Sequence, residues 1–425
     1  MSKVAIVGLG YVGLPLAVRS AEVGHEVIGV DTDLRRIESL RAHLSYVADV
    51  ADDRIQTVTA GGHFRATTGF DGLGVDLTSS NVFDVGIIAV PTPLRGTTPD
   101  LSFVESAAQT LGKVLRPGGT VVLESTTYPG TTENLLAGIL EETSGLVVGR
   151  DFHLGFSPER IDPGNRVHTL ENTPKLVSAT TVQGLGCVRA FYDTIVETTV
   201  PVSRPRVAEL AKLFENIQAN VNIALINEVA TICHDLDVDV WEMLDASMTK
   251  GHSVAYWTPG PGVGGHCLPV DPLYLAWQVR QTTGRRFLFA DLADQVNKGR
   301  PRYVAQRVET LLAQVGSGIA GSNILVLGVA YKPNVADVRE SPAIDVVNAL
   351  AKRGAGVSVV DPYVTDWSLT PIVPFKDLSS RIGEFDVVVV VTNHRDFDYD
   401  QIGKLATLVL DCRNAIPPGP NVVRL

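Results

Sequence analysis

KVAIVGLGYVGLPLAVRSAEVGHEVIGVD, residues 3–31, reads as strand, glycine turn, helix and second strand. Val4 to Val7 is a short apolar run, the pattern of a strand buried on both faces of a parallel sheet. Gly8, Gly10 and Gly13 follow at GxGxxG spacing, with Leu9, Tyr11 and Val12 between them. Leu14 to Val23 continues as a helix that Gly24 ends, and His25 to Val30 forms a strand closed by Asp31. Each glycine has its own task. Gly8 makes the turn, Gly10 lets the backbone approach a pyrophosphate, and Gly13 lets the helix pack on the strand. The helix N-terminus then faces the phosphates. Asp31, 18 residues beyond Gly13, can accept from ribose hydroxyls and repels a 2′-phosphate, so NAD is expected over NADP. Arg36 leaves two readings open: it favours NADP, or it covers the adenine. A glycine turn preceded by a strand, followed by a helix and closed by an acid is a specific signal; the three glycines alone are not.

The rest of the chain is consistent with an ordinary globular protein. Its 425 residues leave room for two or three domains, and 45% are hydrophobic against 20% charged. The net charge of -11, with no Lys/Arg run, argues against nucleic acid or an anionic membrane as partner. Cys187, Cys233, Cys267 and Cys412 are widely spaced with no CxxC pair. They read as reduced thiols of a cytoplasmic protein, not as a disulfide framework or a zinc site, and no metal is expected. Val4 to Val18 mimics the core of a signal peptide, but its glycine spacing belongs to the dinucleotide turn. No apolar run is long enough to cross a membrane.

Three more strand-to-loop units follow. DVGIIAVPTPL runs into Pro91, Thr92 and Pro93; GGTVVLESTTYPGTTENLL runs into Ser125, Thr126 and Thr127, with a helix starting at Thr131 or Thr132. FHLGFSPERIDPG runs into Ser157, Pro158, Glu159 and Arg160. Polar loops at the carboxyl ends of parallel strands form the ligand edge of an open α/β sheet. From about Pro205 to Leu236 the period turns helical, with apolar residues at Leu210, Leu213, Ile217, Val221, Leu225 and Val229. Lys212 and Asn216, four apart, share a face of this helix. After it comes GVGGHCLPVDP, residues 262–272, where glycine and proline predict a loop around Cys267 with Asp271 four residues on. On that stretch alone Cys267 is either a structural thiol in a turn or a reactive one.

The last third repeats the opening unit in altered form. Ile324 to Leu327 is the strand, Gly328 the turn, Ser341 to Arg353 the helix and Val357 to Val360 the next strand, closed by Asp361. The glycines after Gly328 are missing. Tyr331, Lys332 and Pro333, then Asp337 to Ser341, stand in their place, so this half is expected to hold a phosphate ligand through side-chain cations. FDVVVVVTNH supplies a further strand. The expected fold is α/β: two Rossmann-like, doubly wound parallel-sheet domains joined by a helical central domain with a long bridging helix. The expected boundaries are 1–200, 201–300 and 301–425.

Together these motifs resemble the UDP-glucose/GDP-mannose dehydrogenase family, the nucleotide-sugar 6-dehydrogenases. The resemblance runs through nearly the whole chain in the family's order. It is carried by Gly8 to Leu14, by Pro91-Thr92-Pro93, by Ser125-Thr126, by Pro158-Glu159 and by Lys212 with Asn216. Gly264-Gly265-His266-Cys267 with Asp271, and Lys332 with Arg339, complete it. It implies oxidation of a C6 alcohol to a carboxylate with two NAD, and it makes Cys267 the nucleophile that traps the aldehyde as a thiohemiacetal and then carries a thioester. It implies that Lys212 and Asn216 stabilise the alkoxide and oxyanion, that Lys212 lowers the Cys267 pKa, and that Thr126 positions a water while also lying on the cofactor. Glu159 and Asp271 become the acid/base groups, without saying which takes which proton. Thr92 and Arg339 reach the cofactor, while Arg160, Gly264, Gly265 and Lys332 join Glu159, Lys212 and Asn216 around the sugar nucleotide.

Departures within the family bear on the substrate. His266 stands where UDP-glucose and GDP-mannose enzymes usually have Ser, and Val270 where they have Lys. Residues 259–275 and the 156–165 loop resemble instead the branch acting on UDP-N-acetylhexosamines, GlcNAc or ManNAc; 249–262 fits that branch loosely, which leaves UDP- or TDP-glucose open. His266 is either a pocket determinant or a packed imidazole. A two-electron β-hydroxyacid dehydrogenase would lack the Cys stretch and the second nucleotide fold. A short-chain epimerase would need YxxxK, and no Tyr here has Lys four residues later. A non-catalytic NAD sensor would have no use for the whole set. The long helix, with more apolar positions than one domain can cover, predicts a homodimer.

Overall fold

In the computed structural model, residues 1–47, 49–73, 82–161, 165, 167–251, 255–265 and 267–425 are described. The chain divides into two compact units, one of Met1–Glu215 with Leu273–Thr283, the other of Asn216–Pro272 with Gly284–Leu425.

The first unit is built on an eight-stranded sheet among its described residues. In chain order the strands are β1 (Lys3–Val7), β2 (Glu26–Val30), β3 (Phe64–Thr67), β4 (Val85–Ile88), β5 (Thr120–Leu123), β6 (His153–Phe156), β7 (Lys175–Ala179) and β8 (Thr199–Pro201). They lie in the order β8-β7-β6-β5-β4-β1-β2-β3. From β6 to β3 every pairing is parallel, as the unbroken apolar runs predict, with Val4 opposite both Val27 and Val85. β7 turns back antiparallel to β6, Gly155 facing Ala179, and β8 follows β7. Strand order reverses at β1, so the carboxyl ends of β1, β4, β5 and β6 meet at a topological switch point, where α/β sheets bind ligands. Helix α1 (Gly13–Glu22) covers β1, and Leu14, Leu16, Ala17 and Val18 sink into a core with Val4, Ile6, Val27 and Ile87.

A helix of 31 residues, α2 (Pro205–Asp235), starts in this unit and passes the division after Glu215. In the second unit a parallel sheet runs β10-β9-β11-β12-β13, made of β9 (Asn323–Leu327), β10 (Gly356–Val360), β11 (Val387–Val390), β12 (Val409–Asp411) and β13 (Val422–Arg424). Helix α4 (Leu288–Gln314) and helix α5 (Pro342–Ala351) share a core with this sheet: Val304, Val308 and Val346 pack with Ile324 and Val326. Ser341 caps α5 by accepting from the Ala343 N–H, and Pro342 takes its first position.

The Cys267 stretch departs from the expected loop. Cys267 begins a 17-residue helix, α3 (Cys267–Thr283), in which Pro269 and Pro272 are both helical. Pro269 sits in the first turn, where an N–H would have no intrahelical acceptor. Pro272 cannot donate to the Leu268 carbonyl one turn back, and the Asn220 amide donates to that carbonyl instead, at 2.9 Å. A long-range side chain thus replaces the missing bond, and the helix survives its proline.

Candidate active site

At the end of β1 the three glycines have the geometry a dinucleotide turn requires. Gly8 has φ +96, and a Cβ there would stand 2.4 Å from the Ala89 carbonyl oxygen. A Cβ on Gly13 would stand 1.8 Å from the Gly8 oxygen, whereas at Gly10 nothing comes nearer than 3.9 Å. Gly8 and Gly13 are therefore held by the protein's own packing, and the space over Gly10 is open to a pyrophosphate. Tyr11 is exposed beside it, and Val12 stands at the helix start. Asp31, nearly buried, accepts from the Leu9 N–H at 2.9 Å, the Asp33 N–H at 2.9 Å and Arg36 at 3.0 Å. Arg36 also lies over the Tyr46 ring at 5.6 Å, and Tyr46 donates to the Leu9 carbonyl. Burial, reinforced by Asp31, pushes the Tyr46 hydroxyl far above its ordinary pKa, so it remains a donor. These residues fit an NAD: glycine backbone for the diphosphate and one carboxylate for the ribose.

The loops after β4, β5 and β6 are tied together. Ser125 donates to the Val90 carbonyl at 2.7 Å and accepts from the Val90 N–H at 2.9 Å. The buried Thr92 offers its carbonyl to the Tyr274 hydroxyl at 2.9 Å. Thr126 is half-buried between Ser125 and the buried Thr127. The helical turn beginning at Thr131 is held by Glu209 of α2, which accepts from the Gly130 and Thr132 N–H groups and the Thr132 hydroxyl. Burial raises the Glu209 carboxyl pKa against the pull of those bonds. Lys212, one turn further along α2, is half-buried. Glu159 turns one carboxylate oxygen to the N–H groups of Arg160 and Ile161. The Arg160 guanidinium binds Glu215 at 2.6 Å and the Pro174 carbonyl at 2.8 Å.

In the second unit, Asn216 donates to Asp271 at 2.5 Å, and Asp271 is almost fully buried. Cys267, the first residue of α3, is exposed, whereas Cys233 and Cys412 are buried and Cys187 is intermediate. Burial, then the neighbouring Asp411, pushes the Cys412 thiol up to about 12. A helix N-terminus and solvent access are what a reactive thiolate needs, and Cys267 has both. Beneath α3 lies a buried amide network. Asn297 donates to the Asn220 carbonyl at 3.2 Å, Asn227 donates to Asn297 at 3.0 Å, and Asn227 accepts from the Gly260 N–H at 2.9 Å. Arg300 closes it on the Gly260 and Asn227 carbonyls, with burial lowering its pKa to about 10.

The second sheet's turn differs from the first in its acid. Asp361 accepts from Val329 and Ala330 N–H groups and, at 2.9 Å, from the fully buried His394. Burial raises the Asp361 carboxyl, but the His394 contact and the backbone bonds outweigh it and leave the pKa below the usual value. His394 also accepts the Asn334 N–H at 2.9 Å, which anchors the Tyr331–Asn334 loop that carries Lys332. Gly264 and Gly265 are spaces for this same region: a Cβ on either would stand 2.8 Å from Tyr331, and the Gly265 N–H donates to the Arg339 carbonyl at 3.1 Å. The Arg339 guanidinium pairs with Asp337 at 2.6 Å.

The expected residues thus group as Asp31 with Arg36, Thr92 beside the Ser125–Val90 link, Asn216 with Asp271, and Gly264–Gly265 with the Tyr331–Arg339 loop. Val270 lies in the first turn of α3; His266 lies outside the described residues. Sequence reasoning missed Asn220, Asn227, Asn297, Arg300, Glu124, Lys175 and His394. Asn220 had a signal, since it prolongs the Lys212–Asn216 stripe by one turn; Lys175 had none.

A glycine turn open over Gly10 with Asp31 at its edge on one sheet, and a glycine turn whose acid accepts from a buried His394 on the other, define the class. It is a dinucleotide-dependent dehydrogenase with a second, differently loaded nucleotide fold. Three family models match in order: the NAD binding domain, central domain and UDP binding domain of the UDP-glucose/GDP-mannose dehydrogenase family, over residues 2–196, 206–299 and 325–418. The chain is 36% identical to protein CapL of Staphylococcus aureus, over 97% of this chain and 96% of that one. It is 33% identical to UDP-N-acetyl-D-glucosamine 6-dehydrogenase of Salmonella typhi, over 100% and 98%. Among solved structures, UDP-D-ManNAc dehydrogenase from Pyrococcus horikoshii superposes with a TM-score of 0.87 at 31% identity, covering 99% of this chain and 98% of that one. The chain belongs to the UDP-glucose/GDP-mannose dehydrogenase family, and it is an NAD-dependent nucleotide-sugar dehydrogenase.

Proposed function

We propose that the protein oxidises the C6 hydroxyl of a UDP-N-acetylhexosamine, GlcNAc or ManNAc, to the carboxylate through a thioester on Cys267. The observation that carries this reading is the exposed Cys267 at the head of α3, one turn before a buried Asp271 bonded to Asn216. The substrates named for the Salmonella and Pyrococcus relatives support the sugar. Residues 1–200 bind NAD, 201–300 carry the nucleophile and the dimer helix, and 301–425 hold the sugar nucleotide. The enzyme works in the cytoplasm, where its thiols stay reduced.

NAD, when bound by Gly8, Gly10, Tyr11, Val12, Gly13, Asp31, Thr92, Thr126 and Arg339, supplies the hydride acceptor for both oxidations. Lys212 stabilises the alkoxide as the C6 alcohol loses its proton. Asn216 spends one amide N–H on Asp271 and keeps the second for the oxyanion. The Cys267 sulfur bonds to the aldehyde carbon, its proton passing to an acid/base carboxylate, and the thiohemiacetal becomes a thioester at the second oxidation. Water, positioned by Thr126 and deprotonated by a carboxylate, cleaves the C–S bond and returns the thiol. One alcohol, one water and two NAD give one carboxylate, two NADH and three protons. Arg160, Lys332, Gly264 and Gly265 shape the sugar-nucleotide site, with His266 and Val270 as its sugar-reading positions.

The test is a panel of UDP-, TDP- and GDP-sugars followed by NADH absorbance. UDP-GlcNAc or UDP-ManNAc should give two NADH per sugar with no free aldehyde, and Cys267→Ala should stop the second oxidation. Turnover of UDP-glucose far above both amino sugars overturns the substrate; two NADH per sugar from Cys267→Ala at near wild-type rate overturns the thioester.

A further inference from the structure

Behind the Glu159 loop lies a buried charge cluster that the chemistry above does not use. Lys175 opens β7 with only 4% of its side chain exposed, and Glu124, just beyond β5, has none. The Lys175 ammonium stands 3.3 Å from a Glu124 carboxylate oxygen, 3.3 Å from the Pro158 carbonyl and 3.9 Å from Oε2 of Glu159. The Tyr192 ring lies under it at 5.1 Å, and the Tyr192 hydroxyl donates to the same Glu124 oxygen. Oε1 of Glu159 is taken by two backbone N–H groups. Oε2 is buried and accepts no hydrogen bond among the described residues, so the ammonium is the charge that faces it.

Burying an ammonium is unfavourable unless an anion compensates it, and here one cation faces two carboxylates. Burial raises the Glu124 carboxyl pKa against the pull of Lys175, and the nearby Glu159 charge adds to the rise. We propose that Lys175 is a positioning residue for the reaction: its ammonium holds Oε2 of Glu159 in place, while Glu124 and Tyr192 hold the ammonium. This rests on the assignment of Glu159 as an acid/base group. The bland alternative is that Lys175 only neutralises Glu124.

A double-mutant cycle separates the two, with Glu124→Gln as the background so that Glu124 is not itself left as an unpaired carboxylate. In that background Lys175→Met should lower kcat about ten- to a hundredfold, as misplacing a reacting group does, with KM changed by less than about twofold. With Glu159→Gln added, the same Lys175→Met should cost less than about twofold, because there is no carboxylate left to place. Equal losses with and without Glu159, or no loss in either, overturn the proposal. If Glu159→Gln alone keeps wild-type kcat, the assignment of Glu159 fails first, and that result is distinct from the others. Should the Met variants not fold, Lys175→Arg reads the same cycle, since it keeps the charge and moves the contact.

Discussion

Asp31 and Arg36 show how much one carboxylate decides. Sequence left Arg36 with two readings, and the structure gives it a partner: its guanidinium is bound to Asp31 at 3.0 Å and rests on Tyr46. A guanidinium so engaged does not stand free for a 2′-phosphate, and Asp31 repels one. The preference for NAD over NADP, read as a ratio of kcat/KM values, should therefore fall by about tenfold in Asp31→Ala, each decade being about 1.4 kcal/mol. The same change orphans the Leu9 N–H, a group whose unpaired burial costs about 1–3 kcal/mol, so the midpoint of thermal unfolding should drop as well. A wild-type enzyme that already prefers NADP would contradict the assignment of Asp31. The thiols make a parallel case. Four cysteines look alike in a one-letter string, but only burial separates Cys412, pushed up to about 12, from the exposed Cys267.

At the scale of elements, local pattern carried far. The glycine turns, the apolar strands and the long helix were legible because each depends on neighbours in sequence: α2 was expected from about Pro205 to Leu236 and runs Pro205–Asp235. The Cys267 helix was not legible. Its prolines argue for a loop, and the compensation comes from Asn220, 48 residues away. Lys175 was hidden for a related reason, since only the back-turned β7 beside β6 brings it to Glu124 and Glu159. The Asn220 bond can be tested directly. Asn220→Leu keeps the branched outline of the side chain but leaves the Leu268 carbonyl unpaired, and the loss should be about 1–3 kcal/mol. Urea unfolding should show a lower midpoint with an unchanged m value, the sign of lost stability without altered compactness. An unchanged midpoint would mean that α3 holds its proline turn without Asn220.

For the whole molecule the long helix poses the last question. One face of α2 is buried, with Leu213 and Ile217 nearly inaccessible. A second face carries Val207, Leu210, Phe214, Leu225 and Ile232, all exposed, Phe214 at 59% and Leu225 at 60%. At about 100° per residue these five fall on one stripe, roughly 60° wide, running the length of the helix. Scattered exposed leucines need no explanation, but an aligned apolar stripe over a 31-residue helix does. No helix among the described residues is long and apolar enough to cross a membrane, so this stripe is not a membrane-crossing segment. A second copy of the same helix, packed about a two-fold axis, would cover it self-complementarily. Each large apolar side chain so covered contributes about 1.5–3 kcal/mol relative to exposure, enough together to hold a dimer at micromolar concentration after the cost of association. Sedimentation equilibrium should then give about twice the 45.5 kDa chain mass. Phe214→Glu with Leu225→Glu places two charges on the stripe and should shift the equilibrium toward single chains while leaving the buried face intact. A wild-type protein that sediments only as a single chain under the same conditions would leave the stripe to some other partner.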